Sequence, residues 1–391
     1  MGIGSLIAPA TSLSVTGDPA NSTGTELKSI PTRPFGRTGE QVSILALGGA
    51  FHWSNLLLMK QAIDRGVTYW DTAPGYGNGH SEEAIGKYFL KFPEDRKKVF
   101  LVTKADTFHT PSMTTSFENS LERMKTSYVD LLLMHGISNA YDMNDSIKNW
   151  AEKLKASGKI RFFGFSTHSN MASCLRDGAK LGWIDGIMPT YNFRVMNQKE
   201  MKNAVAACFN AGIGLTAMKT QATGWGSSTQ PLSDREQSIL NQLKANGLTV
   251  EQAKLKAVWR DTRIASICSH MTNRTILSAN ISAALDKRAL SNEDTEILKQ
   301  FAGETTSSYC AGCASICESP LLHEVPVSDV MRFLMYSRCY GERERASAAF
   351  HALPKATRSK MARINYTKAE RRCPQGMPIG RLMHEAVSEL A

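Results

Sequence analysis

Long apolar segments are missing from this sequence of 391 residues. No apolar run approaches the roughly 20 residues that a membrane-spanning helix needs, so we expect no membrane span. The first apolar run is not followed by a G-x-G-x-x-G loop, which argues against a doubly wound dinucleotide-binding fold. No finger, homeodomain or RNA-binding motif accompanies the net charge of +10, so we do not expect a nucleic acid as partner.

The first 33 residues have the composition of a tail rather than of a packed domain. A short apolar stretch ending in small residues opens the chain, and Ser, Thr, Gly and Pro are frequent after it. Such a composition is typical of a disordered segment, and the apolar opening also resembles the end of an export signal. We therefore expect a disordered or signal-like tail over 1–33. The expected location is cytoplasmic, with export to the periplasm as the alternative if the opening is the remnant of a twin-arginine signal.

From about residue 34, short apolar runs alternate with longer amphipathic stretches. Continuous apolar runs are typical of parallel strands that are covered on both faces. The runs lie at 44–50, 67–73, 99–105, 129–136, 160–168, 186–193, 213–220 and 263–270. Helical candidates lie at 81–91, 114–127, 145–157, 171–181, 199–211, 249–260 and 276–286. Eight strands alternating with helices predict a fold of the α/β class, a (β/α)8 TIM barrel over 34–288, with a doubly wound sheet as the alternative.

Three further segments complete this organisation. The segment before the first strand predicts a hairpin that turns at Gly39 and covers the bottom of the barrel. The segment 221–235 is rich in Gly, Ser and Thr, and long loops at this end of a barrel are usually functional. Beyond residue 288 the alternation stops, and 289–391 predicts a small all-α domain. Its helical candidates lie at 326–338, 342–352, 355–364 and 379–390.

Four ionisable residues lie at or just after the predicted ends of three neighbouring strands: Asp71, Tyr76, Lys104 and His135. The C-terminal ends of barrel strands meet on one face, so these side chains should lie together. Hydride transfer to a carbonyl leaves charge on oxygen, which Tyr76 can neutralise with a proton. We expect Lys104 to lower the pKa of Tyr76, Asp71 to hold Lys104, and His135 to donate a hydrogen bond to the carbonyl. The alternative is a structural role as an ion pair and a core histidine.

The motif "WDTAPGYGNGHSEEAIGKYF" (70–89) resembles the signature of the aldo-keto reductase family, as do "LVTKA" around Lys104 and "DLLLMHG" around His135. The resemblance spans about 34–286 and implies that the four residues above are the catalytic tetrad. It implies an oxidoreductase that transfers a hydride between a nicotinamide cofactor, NADP(H) or NAD(H), and a small carbonyl or alcohol substrate. The alternative function is an electron-transfer or regulatory binding protein that keeps the barrel but lacks carbonyl turnover.

The same resemblance implies a cofactor site at the barrel mouth. In the family a Ser–Asn pair after strand five binds the carboxamide, and an aromatic residue after strand seven stacks on the nicotinamide. Here Ser166 matches the first position, and Lys219 stands close to the second. The segment 269–280 resembles the loop and helix that bind the adenosine phosphate, and backbone amides at a helix start suit a phosphate. The candidate cofactor contacts are Ser166, Lys219, Thr272, Asn273, Arg274 and Asn280.

Five of the eight cysteines fall in the predicted helical domain. Cys310, Cys313 and Cys317 have C-x2-C-x3-C spacing, and Cys373 is followed by proline. This set resembles the ligands of a [4Fe–4S] cluster in ferredoxin-like domains, and a subset of aldo-keto reductase-like proteins carries such a C-terminal domain. The resemblance implies these four cysteines as ligands, with Cys339 as an alternative fourth. Structural zinc, or disulfides in an exported chain, are the alternatives to a cluster. An electron-transferring cluster would also imply a redox partner protein.

Overall fold

The eight apolar runs become the parallel strands of one closed barrel, because each is apolar enough to be covered on both faces. The computed structural model describes residues 28–49, 56–222 and 232–391. Its strands are β1 (Thr32–Pro34), β2 (Gln41–Ser43), β3 (Leu45–Gly48), β4 (Tyr69–Asp71), β5 (Phe100–Ala105), β6 (Val129–Met134), β7 (Ile160–Thr167), β8 (Gly186–Pro189), β9 (Gly214–Met218) and β10 (Ser266–Ser269). The barrel closes in the order β10-β3-β4-β5-β6-β7-β8-β9, which confirms the predicted α/β barrel.

Helices cover the outside of the barrel and form the region that follows it. The helices up to the last barrel helix are Leu56–Asp64, His80–Lys91, Thr110–Arg123, Asp145–Ala156, Met171–Gly178, Lys199–Asn210, Asp234–Ala245, Val250–Trp259 and Arg274–Leu285. Those that follow are Asn292–Glu304, Ala314–Glu318, Val327–Tyr340, Arg343–His351, Lys355–Met361, Thr367–Arg372 and Ile379–Leu390. Within the three described ranges, no helix has the length and apolar character needed to cross a membrane.

Parts of three predictions fall on residues that the structure does not describe. They are residues 1–27 of the expected tail, residue 50 at the end of the first expected strand, and residues 223–231 of the expected loop. The tail and the functional loop therefore stay predictions.

The predicted hairpin forms and covers the bottom of the barrel. β1 and β2 pair antiparallel, and Gly39 turns the chain between them in the left-handed region, with φ of 81°. Phe35 enters the barrel from this hairpin, is fully buried, and packs against aromatic rings of β4 and β5. The guanidinium of Arg33 donates hydrogen bonds to three backbone carbonyls between residues 259 and 264. The bottom is thereby closed, and the opposite end is left for chemistry.

The helical region has an apolar core of its own. Its fully buried side chains include Val330 and Leu334 of helix Val327–Tyr340 and Met383 of helix Ile379–Leu390. Helix Asn292–Glu304 packs instead with the barrel, because Leu298 is part of the larger barrel core. The predicted domain bounds at 34–288 and 289–391 remain a prediction.

The helical region lies on the C-terminal mouth of the barrel. The side-chain amide of Asn192, after β8, donates to the phenol oxygen of Tyr309 at 2.8 Å. The hydroxyls of Ser169 and Ser328 lie 3.0 Å apart in a buried hydrogen bond. Gly312 comes so close to the loop after β7 that an added Cβ would lie 2.3 Å from a backbone oxygen. Side chains of the helical region therefore reach the strand ends on which the site is built.

Candidate active site

Lys104 of β5 and Asp71 of β4 form a buried ion pair at the barrel mouth. The Nζ atom of Lys104 donates to Oδ1 of Asp71 at 2.6 Å and to the carbonyl oxygen of Thr72 at 2.7 Å. Burial acts to lower the pKa of Lys104, but the negative charge of Asp71 and the nearby Tyr76 outweigh it, so this pKa is raised. The ammonium therefore stays charged where water screens it little.

Tyr76 lies directly over this pair, at the start of the turn Tyr76–Gly79. The Nζ atom of Lys104 is 4.7 Å from the centre of its ring. Burial raises the pKa of Tyr76 to about 12, against the opposing effects of Lys104 and Arg345. Lys104 thus acts on Tyr76 in the direction expected from the sequence, but burial has the larger effect in this arrangement. At neutral pH the phenol carries its proton and is able to donate it.

His135 follows β6 and faces Tyr76, with their ring centres 5.9 Å apart. Its Nδ1 atom forms a short hydrogen bond with Oδ1 of Asp106. Burial acts to raise the pKa of Asp106, but the hydrogen bond from His135 and the nearby charge of Lys104 act against it, and this pKa is lowered. The Asp106 carboxylate can only accept, so Nδ1 of His135 is the donor. Asp106 was not among the residues expected from the sequence, although it directly follows β5.

This pairing decides what the other nitrogen of His135 can do. Burial lowers the pKa of His135, against the effect of Asp106, which favours the neutral ring. In a neutral ring whose Nδ1 carries the proton, Nε2 is an acceptor. The expected donation from His135 to a carbonyl oxygen requires the charged ring, whereas the neutral ring accepts a hydrogen bond from an alcohol hydroxyl. That donation stays a prediction.

A cleft of about 1380 Å³ opens above Tyr76 and His135. The loop after β4 forms one wall, and helix Arg343–His351 of the helical region forms the other. The guanidinium carbon of Arg345 lies 5.3 Å from the centre of the Tyr76 ring. Sequence reasoning did not find Arg345, since nothing in its local pattern connects it to a barrel strand.

Four of the predicted cofactor residues lie around the helix that follows β10. Thr272, Asn273 and Arg274 are exposed at its start, and the side chain of Asn273 caps the helix by accepting a hydrogen bond from a backbone N–H. Asn280 is buried and donates to the hydroxyl of Ser269 at 2.9 Å. This surface leaves the helix start accessible to a phosphate.

The other two predicted cofactor residues lie near the ends of β7 and β9, and the helical region packs against the second of them. Ser166 is fully buried and accepts a hydrogen bond from the backbone N–H of Gly136 at 2.9 Å. Lys219 contacts Tyr336 of the helical region, with 3.4 Å between Nζ and the phenol oxygen. The cavity left between the barrel mouth and the helical region here has about 30 Å³, room for one or two water molecules. A nicotinamide ring does not fit there in this arrangement.

The four predicted cluster ligands line one small cavity in the helical region. Cys310, Cys313, Cys317 and Cys373 share it with mainly apolar side chains, whereas Cys339 is not among its lining residues. Burial raises the pKa of Cys310 to about 12 and also raises the pKa values of Cys313 and Cys317. All eight cysteines are free thiols. In the described part of the chain, no group of three or more His, Cys, Asp or Glu side chains is arranged to hold a metal ion.

Comparison with known proteins agrees with this fold. The model of the aldo/keto reductase family matches residues 54–301, well over half of the chain. L-galactose dehydrogenase from Arabidopsis thaliana is 23% identical over 70% of this chain and 94% of its own length. Aldo-keto reductase YhdN from Bacillus subtilis is 30% identical, over 50% of this chain and 56% of its own length. The holo form of aldo-keto reductase AKR11C1 from Bacillus halodurans has the same fold, with a TM-score of 0.58, 20% identity, and coverage of 70% of this chain and 96% of its own. The chain therefore belongs to the aldo/keto reductase family of oxidoreductases.

Proposed function

We propose that this chain interconverts a small carbonyl compound and the corresponding alcohol, with Tyr76 as general acid and base. The observation that carries this proposal is the meeting of Tyr76, Lys104, Asp71 and His135 at the ends of three neighbouring strands, beneath one cleft. Enzymes with this fold have their active sites at the C-terminal face of the barrel, which is where these four groups lie.

The proton chemistry follows from the positions of these side chains. In the direction of reduction, the phenol of Tyr76 gives its proton to the substrate oxygen as negative charge develops there. The ammonium of Lys104, 4.7 Å from the ring centre, stabilises the phenolate that remains, and Asp71 keeps that ammonium in place. In the direction of oxidation, the phenolate form of Tyr76, stabilised by Lys104, takes the proton of the alcohol hydroxyl. His135, whose ring centre lies 5.9 Å from that of Tyr76, borders the position of the substrate oxygen.

Members of this family use NAD(P)(H), which supplies or takes the hydride. The exposed helix start at Thr272 and Arg274 suits the phosphate of the adenosine end of NADP(H) or NAD(H). The ring end is different, because Lys219 lies against Tyr336 of the helical region and Ser166 is fully buried. Binding of a nicotinamide at these two residues requires the helical region to move away from β9, so no step of the proton chemistry above depends on it.

The four clustered cysteines are proposed to hold a [4Fe–4S] cluster. Their spacing, their single shared cavity and its apolar walls support this assignment. Structural zinc stays the alternative, since four thiolates also suit a tetrahedral ion. When bound, it would pass single electrons or join the two segments that carry Cys310 and Cys373.

One observation favours a second candidate function. The helical region packs against Lys219, one of the two residues expected at the nicotinamide ring, and the cavity left there has only about 30 Å³. A protein that keeps the barrel for electron transfer or regulatory binding, without carbonyl turnover, would have no need of that space. A redox partner protein belongs to this second candidate.

Replacement of one phenol separates the two candidates. The full chain is purified without oxygen, titrated with NADPH and NADH, and assayed on a panel of small aldehydes and alcohols. We expect Tyr76→Phe to lower turnover about 10²–10⁴-fold while cofactor binding is retained. The matched control is Tyr141→Phe, because Tyr141 is 83% exposed and outside the cleft. Undiminished turnover in Tyr76→Phe would refute the role of this phenol, and wild-type protein that binds neither cofactor would favour the second function.

A further inference from the structure

Tyr336 is buried at the barrel mouth among three cations from three different elements. Lys219, just after β9, and Arg332, on the same helix as Tyr336, direct Nζ and Nη1 at its phenol oxygen from 3.4 and 3.3 Å. The guanidinium carbon of Arg345 lies 4.5 Å from the centre of its ring. The Tyr336 side chain is only 3% exposed, so these charges act on it with little screening.

Carboxylates balance only two of these three cations. Arg332 pairs with Asp329 at 2.8 Å, and Arg345 pairs with Glu342 at 2.7 Å. For Lys219, no ion pair with a carboxylate is found among the described residues. Three positive and two negative charges leave one positive charge, and a phenolate on Tyr336 brings the sum to zero. Buried charges are stable when they are paired, so the phenolate completes this group.

The other titratable groups that face Tyr336 do not supply the missing negative charge. Burial raises the pKa of Tyr340, whose ring stacks on Tyr336 with centres 6.0 Å apart, so it stays a neutral phenol. Burial lowers the pKa values of His168 and His270, which lie near Lys219, so both rings are neutral at neutral pH.

We propose that Tyr336 is a second ionisable tyrosine beside the active site, brought to the barrel mouth by the helical region, and that Lys219, Arg332 and Arg345 stabilise its phenolate. Burial alone acts to raise the pKa of Tyr336, but the three cations outweigh it and lower this pKa to about 7. On ionisation the O–H bond breaks, the proton passes to solvent, and the charge of the group falls by one.

Tyr336 acts on the reaction as a positioning residue, through Arg345. The guanidinium of Arg345 lies over both phenols, 4.5 Å from the Tyr336 ring centre and 5.3 Å from that of Tyr76. Arg345 acts to lower the pKa of Tyr76. A phenolate on Tyr336 offsets that positive charge, so its formation acts to raise the pKa of Tyr76. This consequence rests on the proposed function of Tyr76, whereas the ionisation of Tyr336 does not.

The ionisation is measured directly by pH-difference absorbance in the near-ultraviolet phenolate band of the full chain, between about pH 5 and 9. We expect the wild-type protein to gain the absorbance of one tyrosinate with a midpoint near neutrality. Tyr336→Phe should lose this step, and Tyr340→Phe, which changes the stacked neighbour, should keep it. Lys219→Gln should raise the midpoint by about one unit or more, because it removes the cation that has no carboxylate.

Wild-type protein without a near-neutral step would overturn the proposal, since Lys219 would then be the group that loses its proton. Persistence of the step in Tyr336→Phe would also overturn it. The step should remain in Tyr76→Phe, so failure of the proposed function leaves this measurement intact. If Tyr336→Phe does not fold, the wild-type titration and its shift in Lys219→Gln still decide the matter.

Discussion

The ion pair of Lys104 and Asp71 shows how a single contact serves both stability and chemistry. Both side chains are almost completely buried, at 2% and 3% exposure. Among the hydrogen bonds that the structure shows for these two residues, the one between them is the only one that joins opposite charges. We expect Lys104→Met to lower the free energy of unfolding by about 3–5 kcal/mol, because a buried carboxylate is left without its partner. Chemical denaturation of the two proteins at neutral pH checks this value.

A second substitution separates the two roles of this pair. Asp71→Asn added to Lys104→Met removes the stranded charge, so the double variant should regain much of the lost stability. Its turnover should stay as low as that of Lys104→Met, since the ammonium next to Tyr76 is absent in both. A single variant as stable as the wild type would show that the pair is not a buried ion pair in solution.

The sequence predicts catalytic candidates only where they lie close to the C-terminal end of a predicted strand. Asp71, Lys104 and His135 lie at or just after the ends of apolar runs, and one topological rule brings them together. Asp106 follows the same rule, since it comes directly after β5, but the expected reaction gives it no role. Tyr336 and Arg345 have no such signal, because helix packing alone brings them to the site. Arg345 lies over Tyr76, more than 200 residues earlier in the chain, and Tyr336 contacts Lys219, 117 residues earlier.

At the scale of elements, the strands were predictable and some helices were not. Each barrel strand lies inside an apolar run, since burial on both faces leaves a continuous signal. Helix Asp234–Ala245 is not among the predicted helices, and the expected loop, which runs to residue 235, overlaps its start. Its start carries a capping box in which Ser233 and Glu236 satisfy each other's backbone N–H groups, and that spacing was the available signal.

Helix Val250–Trp259 carries a lysine in an apolar setting, which makes its stability depend on pH. Lys254 is 9% exposed and lies over the rings of Phe193 and Phe301 at 5.7 and 5.9 Å. Burial lowers the pKa of Lys254 to about 8. Between about pH 8 and 10.5 the unfolded chain therefore binds more protons than the folded one, so this group makes stability rise with pH across that window.

Lys254→Met should remove this pH-dependent contribution and stabilise the protein at pH 7 by about 1–3 kcal/mol, because it fills the same space without a buried charge. Thermal or chemical unfolding at several pH values measures both effects. Lys244→Met, on the neighbouring helix and exposed, is the matched control and should leave the pH dependence as in the wild type. A loss of stability in Lys254→Met would mean that its contacts with the two rings outweigh the cost of burial.

At the scale of the whole molecule, the sequence predicts a barrel followed by helices but not how the two lie together. The change from alternating runs to helices near residue 288 is visible in the sequence. The seating of the helical region on the barrel mouth depends on single contacts, such as Asn192 with Tyr309 and Ser169 with Ser328, which carry no periodic signal. The cleft therefore has one wall from the barrel and one from the helical region, whereas an open barrel mouth would lack the second wall.

The cavity lined by Cys310, Cys313, Cys317 and Cys373, here called the cysteine cavity, lies next to the barrel mouth. Cys310 lines both the cysteine cavity and the small cavity beside Lys219, so the two sites share a wall. We expect Cys373→Ser to lose iron and the thiolate-to-iron absorbance, because it removes the proposed ligand that comes from a separate segment. Loss of that link should also lower the melting temperature, since bound metal stabilises only the folded state.

Cys339→Ser is the matched control, as Cys339 does not line the cavity, and it should retain iron, colour and stability. The opposite pattern would make Cys339 the fourth ligand, and a colourless wild-type protein containing zinc would replace the cluster with a single ion.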